Sequence, residues 1–515
     1  MSTTIDIVIA EPIATINPNI YGHFSEHLGT CIYEGIWVGQ DSPIAHTGGI
    51  CNDVVTALKK IKPPVMRWPG GCFADDYHWR DGIGPISRRP RRINIHWGDV
   101  VESNLFGTHE FIQFCRAIGA APYVAGNLGS GTPQEMRDWV EYCNFPGGTT
   151  LSDERAANGD PEPLRVRYWG VGNENWGCGG NFTPDDYATE FRRYSTYLRD
   201  FGGEDLFLVA CGPAGNDLEW TRRFFTKLVD GQSRRRRIQG YAAHYYCHTP
   251  ATATEYDEDG WYQVLAQAEV MEPLVVQQRA LMDAFDPQRR IGLIVDEWGT
   301  WHQPTPGRNP RFLWQQNTLR DALVAALTLD IFNRHADKVV MANIAQTVNV
   351  LQALLLTENG QTITTPTYHV FDLYQTHQGA QAVRTIFESP EVTYTYHAPD
   401  RLFAAPGVVL PRDGSEQRLS GLSGSASLSD RTLTLTVVNP HIGEPIEAAL
   451  RLHGAARVVE ARERVLTHTD IHAMNTFEAP DTVQLSDPRS LPAEGKTFNY
   501  TFAPQSVTRL DLMLR

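Results

Sequence analysis

Two stretches of this chain end in the same way, and few folds put such a pattern to use. Tyr168-Trp-Gly-Val-Gly-Asn-Glu174-Asn-Trp176 runs apolar and aromatic until it stops at Asn173-Glu174, with glycines at 170 and 172 that let the backbone turn tightly where the run meets water. Ile291-Gly-Leu-Ile-Val-Asp-Glu297-Trp-Gly repeats the design. Parallel strands covered on both faces read as continuous apolar runs, and in a (β/α)8 barrel the working groups stand at the strands' C-terminal ends. Glu174 and Glu297 both meet that rule. One such glutamate alone reads equally well as half of a buried ion pair. Two at matching strand ends suit glycoside hydrolysis, where one carboxyl protonates the departing oxygen and the other attacks or stabilises the oxocarbenium-like carbon.

The texture recurs at intervals suited to a strand plus a covering helix. Counting the two runs above, eight segments qualify, beginning at Ile20, Val65, Ala121, Arg167, Leu206, Gly240, Ile291 and Val339. Helix starts lie between several of them. Thr132-Pro133-Gln134-Glu135 and Thr183-Pro184-Asp185-Asp186 each offer a capping hydroxyl, a proline at the first helical position and an early acid. The second start predicts a helix with Tyr187, Phe191, Tyr194 and Leu198 on one face, ended by Gly202. Past Gly379, short runs such as Leu433–Val438, Ala448–Leu452, Thr497–Phe502 and Val507–Leu512 are divided by Gly, Pro, Asp and Ser, the spacing of an antiparallel sandwich. The β-branched segment over 4–16 is left over from the barrel and is expected to join that sandwich. The expected fold is therefore α/β: a (β/α)8 barrel over 17–378 and a β-sandwich built from 1–16 plus 379–515.

Charge and cysteine usage narrow the partners. A formal charge of −15 argues against nucleic acid, which is bound chiefly through Lys and Arg at phosphates. The runs Arg88-Arg-Pro-Arg-Arg92 and Arg234–Arg237 then read as solvated loops or subunit contacts. No apolar stretch reaches membrane-spanning length. The amino terminus shows no basic segment followed by an apolar core, so no secretory signal is expected. Eight scattered cysteines with no Cys-x-x-Cys favour free thiols in a reducing cytoplasm. His23-x-x-Glu26-His27 matches a zinc-peptidase pattern that needs a helix, whereas the surrounding Pro18, Gly22 and Gly29 describe a strand and loop. No metal or other cofactor is expected.

Six blocks carry a family resemblance: Tyr21-Gly-His-Phe-Ser-Glu-His-Leu-Gly, Arg67-Trp-Pro-Gly-Gly, Tyr168 to Gly177, His244-Tyr-Tyr, Asp296-Glu-Trp-Gly-Thr-Trp and Ala342-Asn-Ile-Ala-Gln. In order and over nearly the whole chain they resemble the α-L-arabinofuranosidases of glycoside hydrolase family 51. The resemblance implies a barrel with a jelly-roll-like sandwich, retaining exo-hydrolysis of arabinofuranose-containing oligosaccharides, no metal and a homo-oligomer. It also implies Glu174 as acid/base and Glu297 as nucleophile. Asn173 would bind the sugar 2-hydroxyl, Glu26, Arg67, Trp301 and Gln346 would line the pocket, and His244 and Tyr246 would support the nucleophile. Cys72 stands where many members carry an asparagine that contacts the sugar. A related clan hydrolase acting on another sugar, or on an internal glucan or xylan bond, is the alternative.

Overall fold

The computed structural model describes residues 3–230, 237–398 and 406–515. All eight apolar runs are strands of one closed parallel barrel: β2 (Gly22–Phe24), β3 (Val65–Trp68), β4 (Ala121–Gly126), β5 (Tyr168–Val171), β6 (Phe207–Ala214), β7 (Gly240–Thr252), β8 (Gly292–Gln303) and β9 (Val339–Ala345), in sequence order around the ring. Val65, Tyr123, Val209, Ala242, Ile294 and Met341, one each from six strands, pack into a separate apolar cluster. Such a layer fills the interior, so chemistry is confined to the barrel's mouth.

The helix starts behave as their sequences require. Thr132 accepts from the Glu135 amide and Thr183 from the Asp186 amide, each with proline in the first turn. Tyr187, Phe191, Tyr194 and Leu198 are all buried. The second helix nevertheless ends at Tyr197, earlier than Gly202 predicts. Leu198 leaves it with extended backbone, and its carbonyl accepts from Arg237 Nη1 at 2.7 Å. Gly202 serves the turn beyond, at φ +61°.

The N-terminal strand β1 (Thr4–Thr15) lies in a nine-stranded sheet with β10 (Gln381–Glu388), β11 (Ser423–Ser429), β12 (Thr432–Asn439), β13 (Ile446–His453), β14 (Val458–Thr467), β15 (Arg489–Leu491), β16 (Thr497–Phe502) and β17 (Ser506–Leu514). Its order is β15-β14-β17-β12-β11-β10-β1-β13-β16. β1 runs antiparallel to β10 and parallel to β13. Ile5, Ile7, Leu450 and Phe502 from one end share a core with Ala461, Leu510 and Leu512 from the other, so the ladder closes over itself as a sandwich.

The helix Leu319–Arg334 joins the two parts. Its residues 319–333 are all buried, as expected of a helix covered on every side. Inside it, Asp330 accepts from Tyr374 at 2.8 Å and, across to the sandwich, from Ser425 and Thr436 at 2.6 Å each. One residue of the first basic run needs correction, since Arg88, Arg91 and Arg92 are exposed. Arg89 is no solvated loop residue: it is held by Glu110 and the carbonyls of Asn104 and Leu105, because a buried guanidinium must spend its donors. Arg234–Arg236 lie outside the described residues.

Asp330→Ala leaves three buried hydroxyls without their acceptor and should cost on the order of 2–4 kcal/mol, read as a drop in Tm. Burial pushes the Asp330 pKa up to about 6, above its value of about 3.9 in an unfolded chain, so the folded state binds that proton more tightly. The Tm gap between wild type and variant should therefore shrink as pH rises from 4 to 6. A gap that widens over this range contradicts the assignment.

Candidate active site

Seven of the ten expected site residues converge on the mouth from five strands. β3 supplies Arg67, β7 supplies His244 and Tyr246, β8 supplies Glu297 and Trp301, and the residues just past β2 and β9 supply Glu26 and Gln346. β5 ends at Val171, and Gly172 at φ +89° opens the turn that presents Asn173 and Glu174. A Cβ on Gly172 would meet the Asn175 side chain at 2.2 Å. Glu174 itself sits at φ +42°, a left-handed conformation costing about 1–2 kcal/mol in a residue with a side chain. Amides of Gly177 and Gly179 donate to its carbonyl, at 2.7 and 3.2 Å, and hold it there.

Arg67 is the hub. Its Nη1 donates to Glu297 Oε1 at 2.8 Å, its Nη2 to Asn173 Oδ1, and its Nε lies 3.4 Å from Asp296 Oδ2. Tyr123 and Asn343 satisfy Asp296 from either side, at 2.6 and 2.8 Å. Tyr246 donates to Glu297 Oε2 at 2.8 Å. His244 Nδ1 lies 2.9 Å from Glu174 Oε1 and 3.6 Å from Glu297 Oε2. Its shorter contact is thus with Glu174, where the resemblance implied support of Glu297. One oxygen from each glutamate and the His244 nitrogen fall within 4.8 Å of one another. That matches the close carboxyl spacing of retaining hydrolysis, about 5–5.5 Å, and not the wider gap that leaves room for a water.

The pKa values of the two glutamates are shifted in opposite directions. Burial alone would raise the Glu297 pKa, but the charges of His244 and Arg67, with hydrogen bonds from Arg67 and Tyr246, outweigh it and hold the carboxyl below its ordinary range. For Glu174, burial and the Glu297 charge raise the pKa against the His244 hydrogen bond. Glu26 is pushed up to about 7 by burial and by Glu297, although it accepts from the Phe73 amide, Trp97 Nε1 and Gln346 Nε2. The cavity holds about 320 Å³, including space open to solvent, and its walls include Glu26, Trp97, Glu174, Tyr246, Glu297, Trp301 and Gln346. Trp301 stands edge-on to Tyr246 at 5.2 Å, while Trp298 is buried against Phe332 and Phe371. Gln346 Oε1 and Asn173 Nδ2 are buried with no protein partner among the described residues, which suits groups meant for a ligand's hydroxyls. A larger groove on the sandwich, between Thr376, Asp430, Glu460 and Arg462, contains neither glutamate.

Known proteins share this fold. Residues 57–260 match the family profile described as alpha-L-arabinofuranosidase 1 domain, and residues 296–506 match the alpha-L-arabinofuranosidase C-terminal domain. The crystal structure of a GH51 arabinofuranosidase from Xanthomonas axonopodis pv. citri superposes with a TM-score of 0.90 at 40% identity, covering 99% of this chain and all of the other. An intracellular exo-α-L-arabinofuranosidase of Bacteroides ovatus is 38% identical over 516 residues, 99% of this chain and 96% of the relative. The chain belongs to the α-L-arabinofuranosidases of glycoside hydrolase family 51. A Thermotoga maritima α-L-arabinofuranosidase, solved as an arabinose complex, matches with a TM-score of 0.85 at 31% identity over 99% of this chain.

Within this GH51 site the structure corrects one expectation about cysteines. Cys72 and Cys178, 106 residues apart, form a disulfide with their Cα atoms 5.4 Å apart, and the other six are buried free thiols. Separation in sequence hides the pairing, since only the side-by-side pairing of β3, β4 and β5 brings the loops after β3 and β5 together. Both sulfurs border Glu174 Oε2, Cys178 Sγ at 3.5 Å and Cys72 Sγ at 3.9 Å. Sequence reasoning also missed Trp97, which anchors Glu26, and Asp75, which accepts from the Asn173 amide at 2.7 Å. No spacing rule marks either one.

His23 and His27 do not face a common point: His23 packs at a tilt against Phe371, whereas His27 bonds Glu102 and Trp68. Among the described residues, two groups bring three metal-type donors together, Glu174–His244–Glu297 and Cys72–Glu174–Cys178. The first is engaged with Arg67 and Tyr246, and the second has its sulfurs bonded to each other. Alkylation of the unfolded, unreduced protein should label six cysteines, and alkylation after reduction all eight. Eight labels without reduction would contradict the disulfide.

Proposed function

We propose that this family 51 member is a retaining, exo-acting α-L-arabinofuranosidase that removes terminal non-reducing α-L-arabinofuranosyl residues from oligosaccharides. The observation that carries the reading is the pair Glu174 and Glu297, close together, with neighbours that shift their pKa values in opposite directions. Glu297, kept ionised by Arg67 and Tyr246, attacks the anomeric carbon while Glu174 gives its proton to the departing oxygen. An ester then joins the sugar to Glu297, whose negative charge is gone. Glu174, left as a carboxylate by that proton transfer and no longer facing the Glu297 charge, takes a proton from water as the water oxygen attacks the anomeric carbon, releasing Glu297. Two inversions give net retention, and both steps balance with no cofactor.

Each remaining residue takes a role in binding. Asn173, with its free Nδ2, suits the 2-hydroxyl, and Arg67 fixes its orientation. Glu26 and Gln346 offer further hydrogen bonds, Trp301 supplies an apolar wall, and His244 and Tyr246 hold the two carboxyls. Cys72, tied in its disulfide, presents sulfur instead of the amide common at that position. We further propose a cytoplasmic, homo-oligomeric enzyme whose barrel and sandwich divide at 17–378 and 1–16 plus 379–515. The Bacteroides ovatus relative's intracellular designation supports the location. No helix among the described residues is long and apolar enough to cross a membrane.

Aryl α-L-arabinofuranoside should be cleaved with higher kcat/KM than aryl β-xyloside or β-glucoside, and preference for glucoside would move the assignment to another clan member. The pH profile should rise as Glu297 loses its proton at low pH and fall as Glu174 loses its own at higher pH. Glu297→Ala should lose about 10⁴-fold or more on every substrate. Glu174→Ala should lose about 10²–10⁴-fold where the leaving group needs protonation. With an acidic phenol it should instead show a burst and then slow turnover that azide accelerates. A burst kept by Glu297→Ala would reverse the roles.

A further inference from the structure

We propose that Asp75 is a positioning residue for the acid/base: its carboxylate fixes the turn on which Asn173 and Glu174 stand. The inference rests on the role given to Glu174 above and goes beyond it by naming what aims that side chain. Glu174 occupies a left-handed backbone conformation just after strand β5 ends, so the ladder no longer holds this stretch. The last barrel-like bond is Gly172 N–H to the Gly126 carbonyl. The next amide, that of Asn173, turns inward to Asp75 Oδ2 at 2.7 Å, and Asn175 Nδ2 donates to the same oxygen at 3.3 Å. Thus the residues on both sides of Glu174 are tied to one atom.

The other oxygen, Oδ1, accepts from the amides of Leu128 and Gly129, at 2.6 and 2.7 Å. Asp75 is buried, and four N–H donors from the loops after β4 and β5 converge on it. Four is about the full capacity of a carboxylate, and a carboxylate is the side chain able to face donors with both atoms. An asparagine would turn an NH2 group against two of those N–H groups. A second strap lies alongside, because Cys72 at the start of the same short segment is bonded to Cys178, whose sulfur borders Glu174. Asp75 thereby couples three loops of the mouth to the orientation of one carboxyl without touching the substrate itself.

The test is Asp75→Asn, measured beside Glu174→Ala with two arabinofuranosides, one with a strongly acidic phenol as leaving group and one with an alkyl alcohol. Displacing Glu174 should lower kcat for the alkyl substrate by about 100-fold while the phenol-release burst changes less than about threefold. Azide should speed the slow phase, and the alkaline limb of the pH profile should move. Equal losses on both substrates, an unmoved pH profile or wild-type kinetics would overturn the proposal. Should Asp75→Asn not fold, Asn175→Ala carries the test, since it keeps the carboxylate and removes one partner. The same leaving-group split, at tenfold or more, supports the role, and its absence overturns it. If Glu174→Ala itself lacks the split, the acid/base reading falls and this one with it. If Glu174→Ala shows it and the Asp75 or Asn175 variant does not, this proposal alone fails.

Discussion

The buried guanidinium of Arg67 is the interaction on which the mouth of this barrel depends. Three carboxyls, Glu26, Asp296 and Glu297, crowd the region around it, and in a medium of low polarity they could not all be charged without a fixed cation. Arg67 stays protonated there because Asp296 and Glu297 more than offset the cost of its burial. The dependence is mutual: removing one member of a buried ion pair typically costs about 3–5 kcal/mol, because the other charge is left uncompensated. Tyr123 links this cluster to the packed floor of the barrel, since its ring belongs to the apolar layer while its hydroxyl donates to Asp296.

From that fixed charge the division of labour between the glutamates follows. Glu297 receives Arg67 and Tyr246 directly, and its pKa is held below the ordinary range. Glu174 receives neither; it faces Glu297, His244 and two sulfurs, and burial with the Glu297 charge raises its pKa. A difference in neighbours, not in residue type, separates an acid from a nucleophile. The same field reaches Glu26, whose raised pKa reflects burial and the Glu297 charge even with three hydrogen bonds in place. Asn173, bound to Arg67 through its oxygen, keeps its amide nitrogen free, so the cation also orients a donor toward the ligand space.

Much of this was legible in the chain because barrel strands write their function at their ends. Continuous apolar runs ending in Asn173-Glu174 and Asp296-Glu297 reported both the buried sheet and the placement of its carboxyls. The sandwich strands were legible for a different reason, alternation punctuated by turn residues, as in β13 and β17. What stayed hidden depends on strand pairing. The Cys72–Cys178 bond, the Asp75 junction and the Trp97 contact with Glu26 each join loops that only the pairing of successive barrel strands brings together, and no local periodicity encodes them. Arg89 misled for a related reason: in sequence it is one of several basic residues, while in space it alone meets Glu110. The end of the helix at Tyr197 was set by a tertiary hydrogen bond from Arg237, not by the nearest glycine.

The account stands or falls on the carboxyl that becomes bonded to the sugar. Glu174→Ala enzyme turning over an arabinofuranoside with an acidic phenol should accumulate the ester, and rapid acid quenching, proteolysis and mass spectrometry locate it. The account predicts one anhydropentose on the peptide that contains Glu297 and on no other. An adduct on Glu26 or Asp296, or none while wild-type enzyme yields inverted arabinose, would contradict it.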